Sequence, residues 1–271
     1  MTDGQFRFFC NIIRTKFDKD YVEIHTPEIP GSLDNVLIAH SDTGDEVFKF
    51  GNEHTIKKNA QASRLYNTVK KIPVPTVTAH EHNGVHFERY KMIEGQTLYN
   101  MVNTRQLRPD QIKQIYRDIV AEFAKMVRTP PILLNNNQDF YFHKFAREHT
   151  ANANNETLAK IFMCLAYIAN AGADKDKAVI HSDLSPKNTI ITPDGKLAGF
   201  IDMDSIVICD KNYAFCAMAS WYKNMGFDIA ELMDYYEKIS NDKLNRARVS
   251  AMVNINNFGK KMLWLHKQRK K

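Results

Sequence analysis

Four polar residues of one segment have the types and the spacing that transfer of a phosphoryl group needs. The segment VIHSDLSPKNTIITPDGKLAGFIDMDS contains His181, Asp183, Asn188 and Asp202 in that order. The reaction needs a carboxylate that receives the proton of an attacking hydroxyl, and oxygen ligands for Mg²⁺. Asp183 has the residue type of the proton-accepting carboxylate. Asn188 and Asp202 have the residue types of Mg²⁺ ligands, and Asn188 follows a Ser-Pro step. The segment therefore predicts a site of phosphoryl-transfer chemistry.

Two short strands are predicted to position these residues. Within NTIITPDGKLAGFID, two apolar runs flank a Pro-Asp-Gly turn, which is typical of a β-hairpin. Asn188 begins the first run and Asp202 follows the second. The hairpin would hold the two metal-ligand candidates near each other.

The chain before Gly95 is predicted to be strand-rich. Residues 6–17 have helical apolar spacing, and a second helix over residues 55–69 is inserted before the last two strands. Asp42, Thr43 and Gly44 predict a hairpin turn between the second and third strands. The predicted strands are the β-branched or aromatic runs YVEIHT, NVLIAHS, EVFKF, VPTVTAH and VHFERYKM.

The chain after Gly95 is predicted to be mostly helical. Residues 109–128 and 156–171 each carry a stripe of apolar side chains at helical spacing, and helical patterns resume from about residue 214. The second stripe consists of Leu158, Ile161, Phe162, Leu165 and Ile168. We expect both stripes to face a hydrophobic core.

The composition is that of a globular protein. Of 271 residues, 44% are hydrophobic and 25% are charged, so the chain can bury a substantial core, which argues against disorder. No stretch of about 18 uncharged apolar residues occurs, and the first residues carry charges where a signal peptide would be apolar. The sequence therefore predicts a cytoplasmic protein without a membrane partner. Its four cysteines have no zinc or disulfide spacing and are expected to be reduced core residues.

The formal net charge of +6 is concentrated near the C terminus, in GKKMLWLHKQRKK. Basic tails of this kind are commonly solvated, and no RNA- or DNA-binding pattern accompanies this one. We expect no nucleic-acid partner, and the sequence leaves the oligomeric state open.

The segment that begins at residue 179 resembles the catalytic loop and metal-binding aspartate of the aminoglycoside phosphotransferase and choline kinase family, which is related to protein kinases. The resemblance extends from about residue 21 to the last helices. It implies an α+β, two-lobed protein kinase-like fold, with a β-rich nucleotide-binding lobe over residues 1–93. The larger helical lobe, residues 94–271, would contain the catalytic loop and the acceptor site. ATP and Mg²⁺ are the implied cofactors, with ATP between the lobes.

The resemblance also assigns roles to individual residues. Asp183 would be the catalytic base, Asn188 and Asp202 the metal ligands, and His181 a brace for the loop. The implied nucleotide-binding positions are Lys49 on EVFKF for the phosphates, Gly31 and Ser32 in the phosphate-covering turn, and the main chain near Lys91 and Ile93 for the adenine edge.

Two positions depart from the family pattern. The helix after Lys49 should carry a glutamate that pairs with the lysine, yet Asn59 and Gln61 lie near that slot. We therefore place Gln61 among the nucleotide-binding residues, with Glu53 as an alternative partner from outside the helix. In CDKNYAFC, Asp210 matches the first aspartate of a family motif and Ala214 replaces the second.

The favoured function is transfer of the ATP γ-phosphate to the hydroxyl of a small molecule. A protein kinase fits less well, because Ser185 stands where a lysine is expected and only seven residues separate Asp202 from Asp210, too few for a long activation segment. A nucleotide-binding module without turnover is the other alternative, suggested by the missing glutamate. The acceptor is open: the acidic residues 228–237 would suit a polycation, and an aromatic group would suit an ammonium ion. That aromatic group consists of Trp221, Tyr222, Tyr235, Tyr236 and Trp264.

Overall fold

The computed structural model describes residues 1–17, 19–27, 35–130, 139–140, 156–169 and 177–269. The chain divides into two compact units, Met1–Glu94 and Gly95–Lys271. The first unit is built on a β-sheet and the second is mainly helical, which confirms the α+β class. The sequence analysis placed the boundary after Ile93, one residue earlier.

The N-terminal unit contains one five-stranded antiparallel sheet. Its spatial order is β1-β2-β3-β5-β4. The strands are β1 (Glu23–His25), β2 (Val36–His40), β3 (Glu46–Gly51), β4 (Thr78–His82) and β5 (Val85–Lys91). The predicted turn joins β2 to β3, with Gly44 at φ +104°, a backbone conformation that L side chains rarely adopt. All five strands were predicted from the sequence.

Helix α1 (Asp3–Lys16) packs on this sheet through its apolar side chains. Ile12 and Ile13 are buried, and the Phe9 ring stacks on Phe50 with the ring centroids 3.9 Å apart. Phe48 and Phe87 belong to the same core cluster. Since burial of each such side chain contributes about 1.5–3 kcal/mol, this cluster stabilises the sheet that positions Lys49.

Helix α2 (Glu53–Arg64) follows β3, and residues Leu65–Lys70 continue it as a π-helix. The sequence predicted one helix over residues 55–69, and its extent is close to the combined element. The Ser63 hydroxyl donates to the Pro75 carbonyl at 2.6 Å and accepts from the Val77 amide at 2.9 Å. This contact fixes the IPVPTV segment before β4.

A buried carboxylate at the start of the central strand β3 ties together one end of the N-terminal sheet. Glu46 is 4% exposed and receives hydrogen bonds from Arg89 at 2.7 and 3.0 Å, from Tyr21 at 2.6 Å and from Lys19 at 3.1 Å. Burial by itself raises the pKa of Glu46, but these hydrogen bonds, led by those from Arg89, outweigh it and lower the pKa to about 2. The ionised carboxylate is therefore the form that stabilises this unit.

Substitution Glu46→Gln is expected to lower the free energy of unfolding by about 2–3 kcal/mol at pH 7. Because the folded-state pKa lies below the ordinary value of 4.5, this stabilisation is complete above pH 4.5 and is lost as the pH falls toward 2. Urea unfolding from pH 7 to pH 2.5 measures it. The matched control is Glu23→Gln, at an exposed strand position. Equal losses in the two variants would contradict the prediction.

The C-terminal unit contains six helices and two small sheets among its described residues. The sheets have the orders β10-β9-β6 and β7-β11-β8. The helices are α3 (Leu98–Asn103), α4 (Pro109–Val127), α5 (Glu156–Ala169), α6 (Lys211–Asn224), α7 (Ile229–Ser240) and α8 (Arg246–Arg269). The strands are β6 (Gln96–Thr97), β7 (Asp139–Phe140), β8 (Lys177–His181), β9 (Thr189–Ile191), β10 (Leu197–Phe200) and β11 (Ile206–Asp210).

The two predicted apolar stripes behave differently. In α4 the stripe is buried, including Ile115 and Phe123. In α5, Phe162 and Ala166 are fully buried, whereas Ile161 is 48% and Ile168 is 73% exposed. The expectation that the whole α5 stripe faces the core was wrong. Because α5 is apolar on more than one side, the sequence does not show which side packs.

The positions of the cysteines agree only in part with the sequence analysis. All four cysteines are free; Cys209 and Cys216 are buried, whereas Cys164 is exposed and Cys10 is only partly covered. The expectation of core positions thus held for two of the four. Over the described part of the chain, no helix combines the length and apolar character required to cross a membrane.

Gly95, at the start of the C-terminal unit, lies against strand β9. Its φ is +135°, and a Cβ added there would be 2.3 Å from the Ile191 carbonyl oxygen. Gly95→Ala must therefore push β6 away from β9, and we expect it to lower the free energy of unfolding by roughly 2–3 kcal/mol. Gly44→Ala is the control, since it has a positive φ but no atom within 4 Å. Urea unfolding should show a clearly smaller loss for Gly44→Ala.

Candidate active site

The loop from His181 to Asn188 connects β8 to β9 and is held by a buried histidine. His181 is fully buried; its Nε2 lies 2.8 Å from the Ile201 carbonyl oxygen and its Nδ1 lies 3.3 Å from the Asp183 amide nitrogen. A carbonyl only accepts and an amide only donates, so Nε2 is the donor and Nδ1 the acceptor in these two hydrogen bonds. His181 thus has the bracing role that the resemblance implied.

Asp183 is exposed at the turn of this loop and is oriented by Asn188. The Asn188 Nδ2 donates to the Asp183 carboxylate at 2.9 Å and to its main-chain carbonyl at 3.1 Å. The Asn188 amide nitrogen in turn donates to the Ser185 carbonyl at 3.0 Å. A solvent-accessible carboxylate with a fixed orientation can receive a proton from a hydroxyl.

Asp202 lies two residues after the end of β10, and the residue before it, Ile201, is hydrogen-bonded to Asn188 through the backbone. The Ile201 amide donates a 2.9 Å hydrogen bond to the Asn188 carbonyl. This bond holds the segment that leads into Asp202 next to the segment that contains Asn188. Asp202 itself has φ +67° and accepts a 2.9 Å hydrogen bond from the Ser205 hydroxyl. Aspartate is one of the few residues besides glycine that adopt this conformation at low cost.

The side chains of Asn188 and Asp202 offer ligand atoms of the kind that Mg²⁺ binds. Asn188 and Asp202 offer an amide oxygen and a carboxylate, which are the hard oxygen ligands that Mg²⁺ prefers. Mg²⁺ in phosphotransferases is commonly held by one or two such side chains together with substrate phosphates. The backbone bond between Ile201 and Asn188 keeps the two candidates on adjoining chain segments.

The turn after β10 is hydrogen-bonded to the loop from His181 to Asn188. The Ser182 amide donates to the Ser205 carbonyl at 2.8 Å, and the Ser182 hydroxyl donates to the same oxygen at 2.9 Å. The Tyr99 amide on α3 donates to the Pro186 carbonyl at 3.0 Å. The sequence analysis missed Ser205, because a serine in a short turn has no distinguishing pattern.

In the N-terminal unit, Lys49 lies on β3 directly opposite Glu88 of β5. Lys49 is half-buried and Glu88 is 1% exposed. The Asn59 side chain on α2 donates a 2.7 Å hydrogen bond to the Glu88 carboxylate. The sequence analysis did not single out Glu88, although it placed this residue in the predicted strand VHFERYKM.

The other residues near the expected glutamate slot have different surroundings. Gln61 is half-buried and lies about 200° around the α2 axis from Asn59. Glu53 is exposed in the first turn of α2 and pairs with Lys57 at 2.5 Å. Glu53 therefore has a basic neighbour on its own helix, and its pairing with Lys49 stays a prediction from the sequence.

The remaining predicted nucleotide-binding residues lie at the ends of elements. Lys91 ends β5 and is exposed, and Ile93 follows it in the connection to the second unit. The Met92 amide between them donates to the Asp45 carbonyl at 2.9 Å. Gly31 and Ser32 lie outside the described residues.

Asp210, which matches the first aspartate of the family motif, is buried at the start of α6. Its carboxylate accepts from the Asn212 amide at 2.9 Å and pairs with Arg248 at 2.6 Å. Ala214 is fully buried in the same helix. Asp210 therefore caps α6 and joins it to α8.

Comparison with known proteins identifies the family. The model of the family described as "Phosphotransferase enzyme family" (APH) matches residues 26–222. The chain belongs to this family of phosphotransferases. The matched range of this phosphotransferase includes β2 to β11 and most of α6, and hence Lys49 and the loop from His181 to Asn188. No curated protein matches the sequence.

Solved structures with the same fold cover nearly all of the phosphotransferase. The choline kinase LicA from Streptococcus pneumoniae has a TM-score of 0.64 at 14% identity, covering 97% of this chain and 92% of that one. The GDP and kanamycin complex of APH(2")-IIIa has a TM-score of 0.69 at 14% identity, with 97% and 92% coverage. The macrolide 2'-phosphotransferase MphH from Brachybacterium faecium has a TM-score of 0.62 at 12% identity, with 97% and 96% coverage. The predicted kinase-like fold is confirmed.

Proposed function

We propose that this phosphotransferase transfers the γ-phosphate of ATP to a hydroxyl group of a small molecule. The observation that carries the proposal is the loop in which Asn188 orients the exposed Asp183 carboxylate and is joined by a backbone hydrogen bond to the residue before Asp202. This arrangement offers a proton acceptor and candidate metal ligands on two adjoining chain segments.

The residues have separate tasks in the proposed reaction. Asp183 accepts the proton of the acceptor hydroxyl as the hydroxyl oxygen attacks the γ-phosphorus, the bond from that phosphorus to the bridging oxygen breaks, and ADP leaves. His181 keeps the loop in place. Asn188 and Asp202 would hold Mg²⁺, which neutralises negative charge on the nucleotide phosphates. Lys49 would bind the phosphates. The remaining nucleotide positions stay as the sequence predicted them, namely Gly31, Ser32, Gln61 and the main chain at Lys91 and Ile93.

A small acceptor fits the structure after the metal-ligand position better than a protein does. A single 3₁₀ turn (Met203–Ser205) and strand β11 occupy the chain between Asp202 and the start of α6. These residues pair with β8 and with the catalytic loop. They provide no extended segment on which a peptide substrate could rest.

The surroundings of the acidic segment argue against a strongly cationic acceptor there. Glu231 pairs with Lys113 at 2.9 Å, and Arg246 pairs with both Asp234 and Glu237 at 2.6 Å. Each of these carboxylates therefore has a basic neighbour, which reduces the local negative charge that would attract a polycation. Similar solved structures are named for choline, aminoglycoside and macrolide acceptors, so the fold itself does not select among them.

The aromatic residues divide into core and surface positions. Tyr222 and Tyr236 are buried and pack against other rings. Trp221 is half-buried with its ring edge-on to Tyr99 at 6.4 Å, and the Tyr99 amide is bonded to the catalytic loop. Trp221 is thus the aromatic candidate for an acceptor contact, and Trp264 lies beyond the described side chains.

The experiment is a screen of hydroxylated metabolites for stimulated ADP release from Mg-ATP. We expect sugars, amino alcohols, nucleosides and antibiotics to separate into a few substrates and many non-substrates. The alternative, a nucleotide-binding module without turnover, is suggested by Asn59 in the glutamate slot. It would show ATP-induced thermal stabilisation with no ADP release for any acceptor, whereas absence of both effects would contradict nucleotide binding.

A further inference from the structure

The acidic partner that a phosphate-binding lysine needs is present in this chain, on a strand of the sheet. Lys49 and Glu88 are opposed residues in the antiparallel β3–β5 register. Directly opposed residues project to the same face of a sheet, with Cβ atoms about 4.5–5.5 Å apart. The two side chains therefore leave the sheet side by side.

Asn59 connects this carboxylate to helix α2. Its side chain is fully buried and donates to Glu88 at 2.7 Å. A hydrogen bond donated to a carboxylate favours its ionised form and fixes its direction. The helix thus supplies an orienting amide at the position where related enzymes supply the acid.

The buried negative charge of Glu88 is stabilised only if a cation lies nearby. A carboxylate that is 1% exposed is costly unless it is paired, and a neutral amide cannot neutralise it. On the β4 side its opposed residue is Ala79, which has no charge. Lys49 is the basic residue directly across the strand on the other side.

We propose that Glu88 is the positioning residue for Lys49, replacing the helix glutamate through a shift of the carboxylate from α2 to β5. The inference rests on the proposed role of Lys49 in phosphate binding. Glu88 acts through the lysine and does not itself contact the nucleotide. The function of Asn59 is to hold Glu88 in place.

A double-mutant cycle tests the kinetic consequence. Lys49→Met and Glu88→Gln are each expected to lower kcat/KM for ATP by roughly 10- to 100-fold, because both disturb the same phosphate contact. The double variant should be no worse than Lys49→Met alone. Multiplicative losses would show that Glu88 does not act through Lys49 and would overturn the proposal.

A second measurement is independent of turnover. The pH dependence of acylation of the Lys49 amine, followed by peptide mass spectrometry without nucleotide, reports the pKa of that lysine. Loss of an adjacent carboxylate should shift the labelling midpoint about one pH unit lower in Glu88→Gln. Glu53→Gln, which removes an exposed carboxylate of α2, should leave the midpoint unchanged. An unshifted midpoint in Glu88→Gln overturns the pairing even if the chain proves to be an active kinase.

Returning the carboxylate to the helix provides the rescue. In the variant Asn59→Glu/Glu88→Gln the acid and the amide exchange places, so we expect recovery of at least a tenth of the wild-type kcat/KM for ATP. The same variant answers the question if Glu88→Gln alone unfolds, since it keeps one acid and one amide in the pair. A folded exchange variant without recovery would contradict the proposal. An inactive wild-type chain would instead refute the proposed function and leave the labelling result to decide the pairing.

Discussion

Asp183→Ala is expected to reduce ADP release from Mg-ATP by about 10²- to 10⁴-fold, the usual cost of losing a general base. The fold should persist, because Asp183 is exposed and Asn188 keeps its 3.1 Å hydrogen bond to the main-chain carbonyl of residue 183. The affinity for Mg-ATP should change little, since the proposed role concerns the acceptor proton. Steady-state kinetics with the best acceptor from the screen, together with calorimetric titration of Mg-ATP, measures both effects.

The matched control for this loss is Asp194→Asn. Asp194 lies in the hairpin turn after β9, is exposed, and pairs with Lys196. The substitution removes one carboxylate from the same segment without changing the loop from His181 to Asn188. The activity of Asp194→Asn should stay within twofold of wild type. Activity of Asp183→Ala at the level of this control would end the assignment of the base.

Asp202→Asn is expected to lower the rate by at least about 100-fold at 1–5 mM Mg²⁺, with the Mg²⁺ dependence shifted to higher concentration. An amide keeps an oxygen that can accept the Ser205 hydroxyl, and asparagine tolerates the left-handed conformation at φ +67°. The structural cost should therefore be small. Titration of the rate with Mg²⁺, accompanied by urea unfolding, separates metal binding from stability.

Asp202→Ala provides the comparison for the backbone. Alanine lacks both the ligand and the tolerance for positive φ, so we expect it to be about 1 kcal/mol less stable than Asp202→Asn while losing activity to a similar extent. If the Mg²⁺ response of Asp202→Asn equals that of wild type, Asp202 does not hold the metal.

The catalytic loop was predictable because its chemistry is local in the sequence. Asp183 and Asn188 are separated by a short turn, and Asp202 follows a hairpin whose Pro-Asp-Gly signal sets its position. Strands β1 to β5 were predicted for the same reason, as alternating apolar runs with clear breaks. The residues that support the loop, such as Ser205, have types that occur in any turn.

Glu88 was missed because its neighbours are distant in the chain. Its partnership with Asn59 and its position opposite Lys49 depend on the β3–β5 register, and α2 and β4 intervene in the sequence. The sequence analysis named Glu53 and Gln61 as candidate partners of Lys49 because both are close to this lysine along the chain. In α5 the packed face could not be read from hydrophobicity, since both faces are apolar.

The strand position of Glu88 has a consequence for control of the enzyme. In protein kinases the lysine-pairing acid is carried by a mobile helix, so that swinging this helix outward switches the enzyme off. Here both partners of the proposed pair belong to adjacent strands joined by the hydrogen bonds of the β3–β5 ladder. Displacement of α2 would remove the Asn59 contact but would leave the acid and the lysine of the proposed pair on adjacent strands, so movement of this helix alone would not separate them.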